Sequence, residues 1–329
     1  MKRVLVADRP GTARQRLLDA LAKDGALRVV GVAQDGEEAV ALCLSLRPDI
    51  MTVARDIPVL DGLAVTRRLM ADQPTPIIII TSDETAPSME ALRAGALALA
   101  RPPVDGGLEL RAMIHSLADV KLVRRANATP IPAAAARSPG GRFDIVALAA
   151  SAGGPPALAR LLSDLPGTPR VPFVAVQHNS QGWMPALATW LQTTSGRPVK
   201  LATDGEVLSA GTLYLAPDGA HLGVDASGHA RFGRDGPIGG FRPSATYLFD
   251  SVGKAYGPHA LAVILTGMGT DGTAGLRGMH ERGARVIAQD EESSAVFGMP
   301  GAAVAAGVCD EVLPLSAIAA RVAELVSQR

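Results

Sequence analysis

The sequence predicts an α/β protein made of two doubly wound domains, and three observations carry that expectation. Short apolar runs alternate with helix-period segments over residues 1–121, and further apolar runs ending in polar, glycine-rich turns follow residue 142. Between them, residues 122–141 are rich in Pro, Ala and Gly and lack apolar periodicity, which reads as a semi-extended linker. Every Phe, Tyr and Trp lies at or after Phe143, so the two halves also differ in composition. The expected division is therefore 1–121, a linker 122–141, and 142–329.

In the first half, strands are expected at 3–7, 27–32, 50–53, 76–80 and 97–100, each separated by a helical segment, giving a (βα)5 unit with a parallel sheet. In the second half, Asp144-Ile-Val-Ala-Leu-Ala-Ala-Ser151-Ala-Gly-Gly154 reads as a buried strand entering a tight turn and a helix. Val174-Ala-Val-Gln-His178 is a second strand, and Leu261-Ala-Val-Ile-Leu-Thr-Gly-Met-Gly-Thr-Asp271 a third that ends in a glycine-rich turn. The stretch from Gly236 to Phe249 reads as a glycine-rich loop leading into a helix. Trp183 and Trp190, seven residues apart, fall on one helical face and are expected in a core or interface.

Composition removes several classes of function. A net charge of +0 argues against a general nucleic-acid binder, which needs a basic excess or stripe. Cys43 and Cys309 are the only cysteines and lie in apolar surroundings, so they are expected to be buried and reduced, with neither a disulfide framework nor a zinc site. His115, His229, His259 and His280 show no metal-ligand spacing, and no metal or cofactor is expected. No apolar run is long enough for a signal-peptide core or a bilayer span, which points to a cytoplasmic location without membrane insertion.

Ser151, His178 and Asp271 each follow an apolar strand, and parallel strands in an open sheet bring their carboxyl ends to one crevice. Those three residue types supply a nucleophile, a base and an orienting carboxylate for acyl transfer. The helix behind Ser151 would add unpaired backbone N–H groups and a partial positive charge. The chain order Ser, His, Asp differs from that of the α/β-hydrolases. A structural role is expected for His221, which has no carboxylate in its motif.

The motifs around Ser151, Gln177-His178, Leu213–His221, Leu265–Gly275 and Ala288–Pro300 resemble the bacterial chemotaxis protein-glutamate methylesterase/glutamine deamidase family (CheB), over residues 142–329. The resemblance implies a Rossmann-like methylesterase domain with a mainly parallel sheet. It also implies Ser151, His178 and Asp271 as catalytic triad and the backbone N–H of Met268 in the oxyanion hole. The implied substrates are glutamate γ-methyl esters, and glutamines for deamidation, on the cytoplasmic helices of methylated chemoreceptors, with chemotaxis signalling proteins as further partners. Two departures from the family pattern are Ala149 and Ala152, where Gly and Thr are usual.

Residues 1–121 resemble a response-regulator receiver domain through Asp8, Arg47-Pro-Asp-Ile, Pro58-Val-Leu-Asp-Gly62, Thr81 and Leu92-Arg-Ala-Gly-Ala96. Alignment on those motifs puts Ala54 at the phosphoacceptor position, with Asp56 two residues on at a variable one. The acidic pair for Mg²⁺ is reduced to Asp8, because Arg9 takes its second position, and the expected lysine is Arg101. A pseudo-receiver that is not phosphorylated is therefore expected. The alternative is a catalytically idle regulator that docks partners through the receiver-like domain.

Overall fold

A computed structural model describes residues 1–83, 85, 89–104, 106–120 and 142–327. The chain divides into two compact units, Met1–Arg124 and Arg125–Arg329. The segment 122–141 expected as a linker lies outside the described residues.

Unit 1 begins with β1 (Lys2–Ala7), α1 (Thr12–Ala22), β2 (Leu27–Ala33), α2 (Gly36–Leu46) and β3 (Ile50–Ala54). It continues with α3 (Gly62–Asp72), β4 (Ile77–Ile80), α4 (Glu90–Arg93), β5 (Ala98–Ala100) and α5 (Leu108–Leu117). The sheet runs β2-β1-β3-β4-β5 with all neighbours parallel. Strands buried on both faces need near-continuous apolar runs, which Val4–Ala7 and Ile77–Ile80 provide with aliphatic side chains alone. Asp35 and Asp61 start α2 and α3 as N-caps, accepting from the backbone N–H groups of Glu38 and Ala64.

Unit 2 opens with β6 (Ile145–Ala150), α6 (Gly154–Asp164), β7 (Phe173–Gln177), α7 (Met184–Ser195), β8 (Val199–Leu201) and β9 (Leu213–Leu215). An antiparallel hairpin, β10 (His221–Val224) and β11 (Ala230–Gly233), precedes α8 (Ala245–Tyr256) and β12 (Ala260–Ile264). The chain ends with α9 (Thr273–Glu281), β13 (Arg285–Gln289), α10 (Met299–Ala305), β14 (Glu311–Leu313) and α11 (Leu315–Ser327). Seven parallel strands run β14-β13-β12-β6-β7-β9-β8. Strand β6 comes first in sequence yet lies in the middle, between β7 and β12. The winding reverses beside it, and such a switch point opens a crevice at the carboxyl ends of the strands.

Trp183 and Trp190 are buried, on the core side expected of them. Cys43 is buried, whereas Cys309 is only partly so; burial, with the Asp310 charge beside it, pushes its thiol up to about 12. Among the described residues no helix is long and apolar enough to cross a membrane.

One backbone position in unit 1 is strained. Val59, 79% exposed, has φ 69°, and the N–H of Leu60 donates to the Pro58 carbonyl at 2.9 Å around it. A three-residue turn of that hand is rare, and a β-branched side chain raises its cost. Val59→Gly should relieve about 1 kcal/mol net of the extra entropy glycine brings to the unfolded chain. In calorimetry the transition of unit 1 should shift up by about 4 °C. Tryptophan fluorescence, which reports only unit 2 because both tryptophans lie there, should show no change.

Candidate active site

The three central strands of unit 2 deliver Ser151 directly after β6, His178 directly after β7, and Asp271 at the end of the turn after β12. Backbone bonds cross-link these ends: Ser151 N–H donates to the Thr266 carbonyl and His178 N–H to the Ala150 carbonyl, both at 3.0 Å. The buried Gln177 adds a clamp, its Nε2 donating to the carbonyls of both Ser151 and His178 at 2.8 Å. That clamp explains Gly154, while backbone conformation and Ala295 explain Gly153. A Cβ on Gly154 would lie 2.1 Å from Gln177 Oε1, and Gly153 sits at φ 72° with room for no side chain against Ala295.

His178 Nε2 meets Asp271 Oδ2 at 2.9 Å. Its other nitrogen, Nδ1, is buried and has no hydrogen-bond partner among the described residues. With Nε2 engaged by Asp271, Nδ1 is the remaining ring nitrogen, and no Ser151–His178 hydrogen bond is made among the described residues in this state. Catalytic hydrogen bonds of this kind commonly tighten only when substrate is bound.

Asp271 is held by the opening turn of α8. Its Oδ1 accepts from Ser244 Oγ at 2.8 Å, Thr246 N–H at 3.1 Å and Gly272 N–H at 2.9 Å, while Oδ2 accepts from Ala245 N–H at 2.7 Å. Burial pushes the carboxyl up, but the bonds from His178, Ala245 and Ser244 outweigh it and hold Asp271 well below the usual carboxylate range. Behind Ser244 stands His221, fully buried and opening β10. Its Nδ1 accepts from the Ser244 N–H at 3.1 Å, its Nε2 bonds the Gly236 carbonyl at 3.2 Å, and its ring stacks on Tyr247. The structural role expected for His221 thus supports the segment that grips Asp271.

The other face of the site is made by the glycine-rich loop before α8. The ring of Phe241 lies on His178, centroids 4.1 Å apart and planes 12° from parallel. A shallow groove beside them is lined by Gln177, Asn179, Gln181, Asp218 and Arg242. Sequence reading had singled out this loop but not the contacts of Phe241 or Ser244, because tertiary packing alone creates them.

For a developing oxyanion, Met268 lies in the turn after β12 and its N–H has no hydrogen-bond acceptor among the described residues. Behind the serine, α6 starts at Gly154 and the Ser151 N–H is bonded to the Thr266 carbonyl, and the N–H groups of Ala152 and Gly153 have no hydrogen-bond acceptor among the described residues.

In unit 1, Asp8 follows β1 and Ala54 ends β3, at the switch point of the sheet. Asp8 is buried, and that burial raises its carboxyl above the usual range against the lowering by the Arg9 N–H and the Arg9 and Arg14 charges. Arg55 pairs with Asp83, and Thr81 Oγ1 accepts from the Asp83 N–H at 3.1 Å. Among the described residues no group of three or more His, Cys, Asp or Glu side chains is placed to hold a metal ion. Asp56 lies in the exposed turn beyond β3, two residues past Ala54.

Fold and topology define the class: a receiver-type α/β unit followed by a larger α/β unit with its crevice at the centre of a parallel sheet. Comparison with known proteins gives the family. Residues 146–322 match the family model described as CheB methylesterase, and residues 4–106 match that of the response regulator receiver domain. A protein-glutamate methylesterase/protein-glutamine glutaminase of Myxococcus xanthus is 47% identical over 97% of this chain and 95% of its own length. A second, from Anaeromyxobacter dehalogenans, is 45% identical over 98% of each. The solved catalytic domain of the Thermotoga maritima CheB methylesterase superposes with TM-score 0.55 at 38% identity, covering 56% of this chain and all of that one. The chain belongs to the CheB methylesterase family.

The grip on Asp271 has a consequence for stability. A carboxyl whose pKa is depressed by folding contributes stability that is complete above its unfolded value, about 3.9, and fades as pH falls below it. Asp271→Asn should therefore cost unit 2 about 2 kcal/mol at pH 7. The gap between the variant and the original chain, read by tryptophan fluorescence in denaturant, should stay constant from pH 7 to about 5 and narrow below about 4.

Proposed function

We propose that the chain is a serine hydrolase that cleaves glutamate γ-methyl esters, and deamidates glutamines, on the cytoplasmic helices of chemoreceptors. Ser151 is the nucleophile, His178 the base and Asp271 the group that orients and stabilises the imidazolium. The observation that carries this reading is the His178–Asp271 pair at the strand ends flanking Ser151, with His178 Nδ1 buried and without a hydrogen-bond partner among the described residues. The Ser151 hydroxyl oxygen attacks the ester carbonyl carbon as its proton passes to His178 Nδ1. The N–H of Met268, with those of Ala152 and Gly153, receives the oxyanion. Collapse of the tetrahedral intermediate breaks the C–O bond to methoxide, which takes the proton from His178 and leaves as methanol. Water then attacks the acyl-serine by the same route and yields the free carboxylate. The relatives named protein-glutamate methylesterase/protein-glutamine glutaminase support this substrate class. A cytoplasmic location and the receptor as partner belong to the same reading.

Ser151→Ala, His178→Ala and Asp271→Ala should each lower methanol release from methylated receptor by about 10⁴-fold or more, and the double variants should be no worse, because the three act as one unit. Near-normal turnover by Ser151→Ala would refute the assignment.

The same proposal treats unit 1 as a pseudo-receiver. With Ala54 at the acceptor position there is no carboxylate to attack phosphorus, and the surroundings of Asp8 do not suit Mg²⁺. Acetyl phosphate, or beryllium fluoride with Mg²⁺, should leave hydrolysis unchanged, and no hydroxylamine-labile aspartyl phosphate should form. Stimulation that is lost in Asp56→Ala would show that the acceptor has moved.

A further inference from the structure

We propose that Phe241 is a positioning residue for the base, and that its ring stabilises the imidazolium formed on His178 when Ser151 attacks. This rests on the serine-hydrolase reading and extends it to a residue outside the Ser-His-Asp set.

The geometry favours the charged ring over the neutral one. The two rings lie nearly parallel, 12° apart, with centroids 4.1 Å from each other. Neutral aromatic rings prefer offset or edge-to-face arrangements, because their negatively charged faces repel in a close parallel stack. A positive charge over the same face is attracted to it. The contact is therefore stronger once His178 has taken the serine proton than before, which is the condition for an interaction to lower a barrier rather than merely tighten the ground state.

The loop is built to hold this contact. Phe241 N–H donates to the Ile238 carbonyl and Ile238 N–H donates to the Phe241 carbonyl, each at 3.0 Å, so the backbone on which the ring stands is pinned in both directions. Three to five residues further on, Ser244, Ala245 and Thr246 grip Asp271. One segment thus supports both the face of the imidazole, through Phe241, and its edge, through Asp271. The charged groups around His178 are Asp271 at Nε2, with Asp218 and Arg242 on the adjoining groove. Among the described residues only Asp271 makes an ion pair with the ring, so the Phe241 face adds a second, charge-dependent contact.

In the proposed reaction the proton leaves Ser151 Oγ for His178 Nδ1 as the Oγ–carbon bond forms, and it leaves His178 with the departing methanol; the water step repeats this. The imidazolium arises in both halves, so kcat and kcat/KM should fall together when the contact is weakened.

The test replaces Phe241 in the full chain, by site-specific incorporation, with phenylalanines carrying one, two and three ring fluorines. Fluorine withdraws the negative charge from the ring face with little change in shape. With methylated receptor as substrate, log kcat should fall in step with fluorine number, reaching about a fivefold loss at three, while KM and the tryptophan-detected unfolding midpoint stay constant. Phe241→Leu should lose at least as much. A flat series, or one in which only KM changes, would overturn the proposal. Ser151→Ala measured alongside separates the two levels: if it stays inactive while the series is flat, the role of Phe241 fails and the hydrolase reading stands; if it turns over normally, the hydrolase reading itself falls.

Discussion

A buried carboxylate whose nearest basic side chain is a histidine must have its charge satisfied by hydrogen bonds, and the whole crevice of unit 2 is organised around doing so for Asp271. Five donors reach its two oxygens: the Ser244 hydroxyl, the N–H groups of Ala245, Thr246 and Gly272, and the His178 ring. Two of them are free N–H groups of the first turn of α8, where the helix dipole also favours a negative charge. The carboxylate therefore serves as an anchor in both directions. It fixes the start of α8, and with it the loop carrying Phe241, while it fixes the edge of His178. Removing the charge would loosen both, which ties the stability of the unit to the chemistry of the site.

The second organising constraint is the order of the strands. Placing β6 in the centre, with β7 and β12 on either side, means that three residues far apart in sequence reach the crevice by simply following their strands. Gln177 then couples the serine and histidine backbones through one side-chain amide, and Gln289 does a related job next door, its Oε1 accepting from the Thr266 N–H at 2.8 Å. Thr266 in turn receives the Ser151 N–H on its carbonyl and donates its hydroxyl to the Ala152 carbonyl at 2.9 Å. The turn that carries Ser151 is held from both sides. Unit 1 has the parallel-sheet frame of a receiver, with Asp8 and Ala54 at the ends of the neighbouring strands β1 and β3 and Arg9 and Arg14 acting on the Asp8 carboxyl.

Much of this was legible in the sequence for a physical reason. Strands buried on both faces must be written as unbroken apolar runs, so β1, β3, β4, β6, β7 and β12 declare themselves, and the polar residues of the turns that follow mark the crevice edge. Ser151, His178 and Asp271 were found that way before any contact was known. The residues that support them were not. Ser244 reads as an ordinary N-cap and Phe241 as an apolar residue in a loop, because nothing local states that one will reach Asp271 and the other will cover His178. That His221 opens β10 is decided by the hairpin pairing with β11, which no local pattern states. The strain at Val59 was equally silent, since the turn that imposes it is set by the Gly36 N–H donating to the Pro58 carbonyl from another segment.

The central claim is that the His178–Asp271 pair activates one particular hydroxyl, and covalent trapping tests it most directly. The full chain would be treated with a fluorophosphonate probe and the adduct located by peptide mass spectrometry, with the labelling rate compared in Asp271→Asn. The account predicts a single adduct on Ser151, formed at least about 100-fold more slowly in the variant. An adduct on another residue, or a labelling rate indifferent to Asp271, would contradict it.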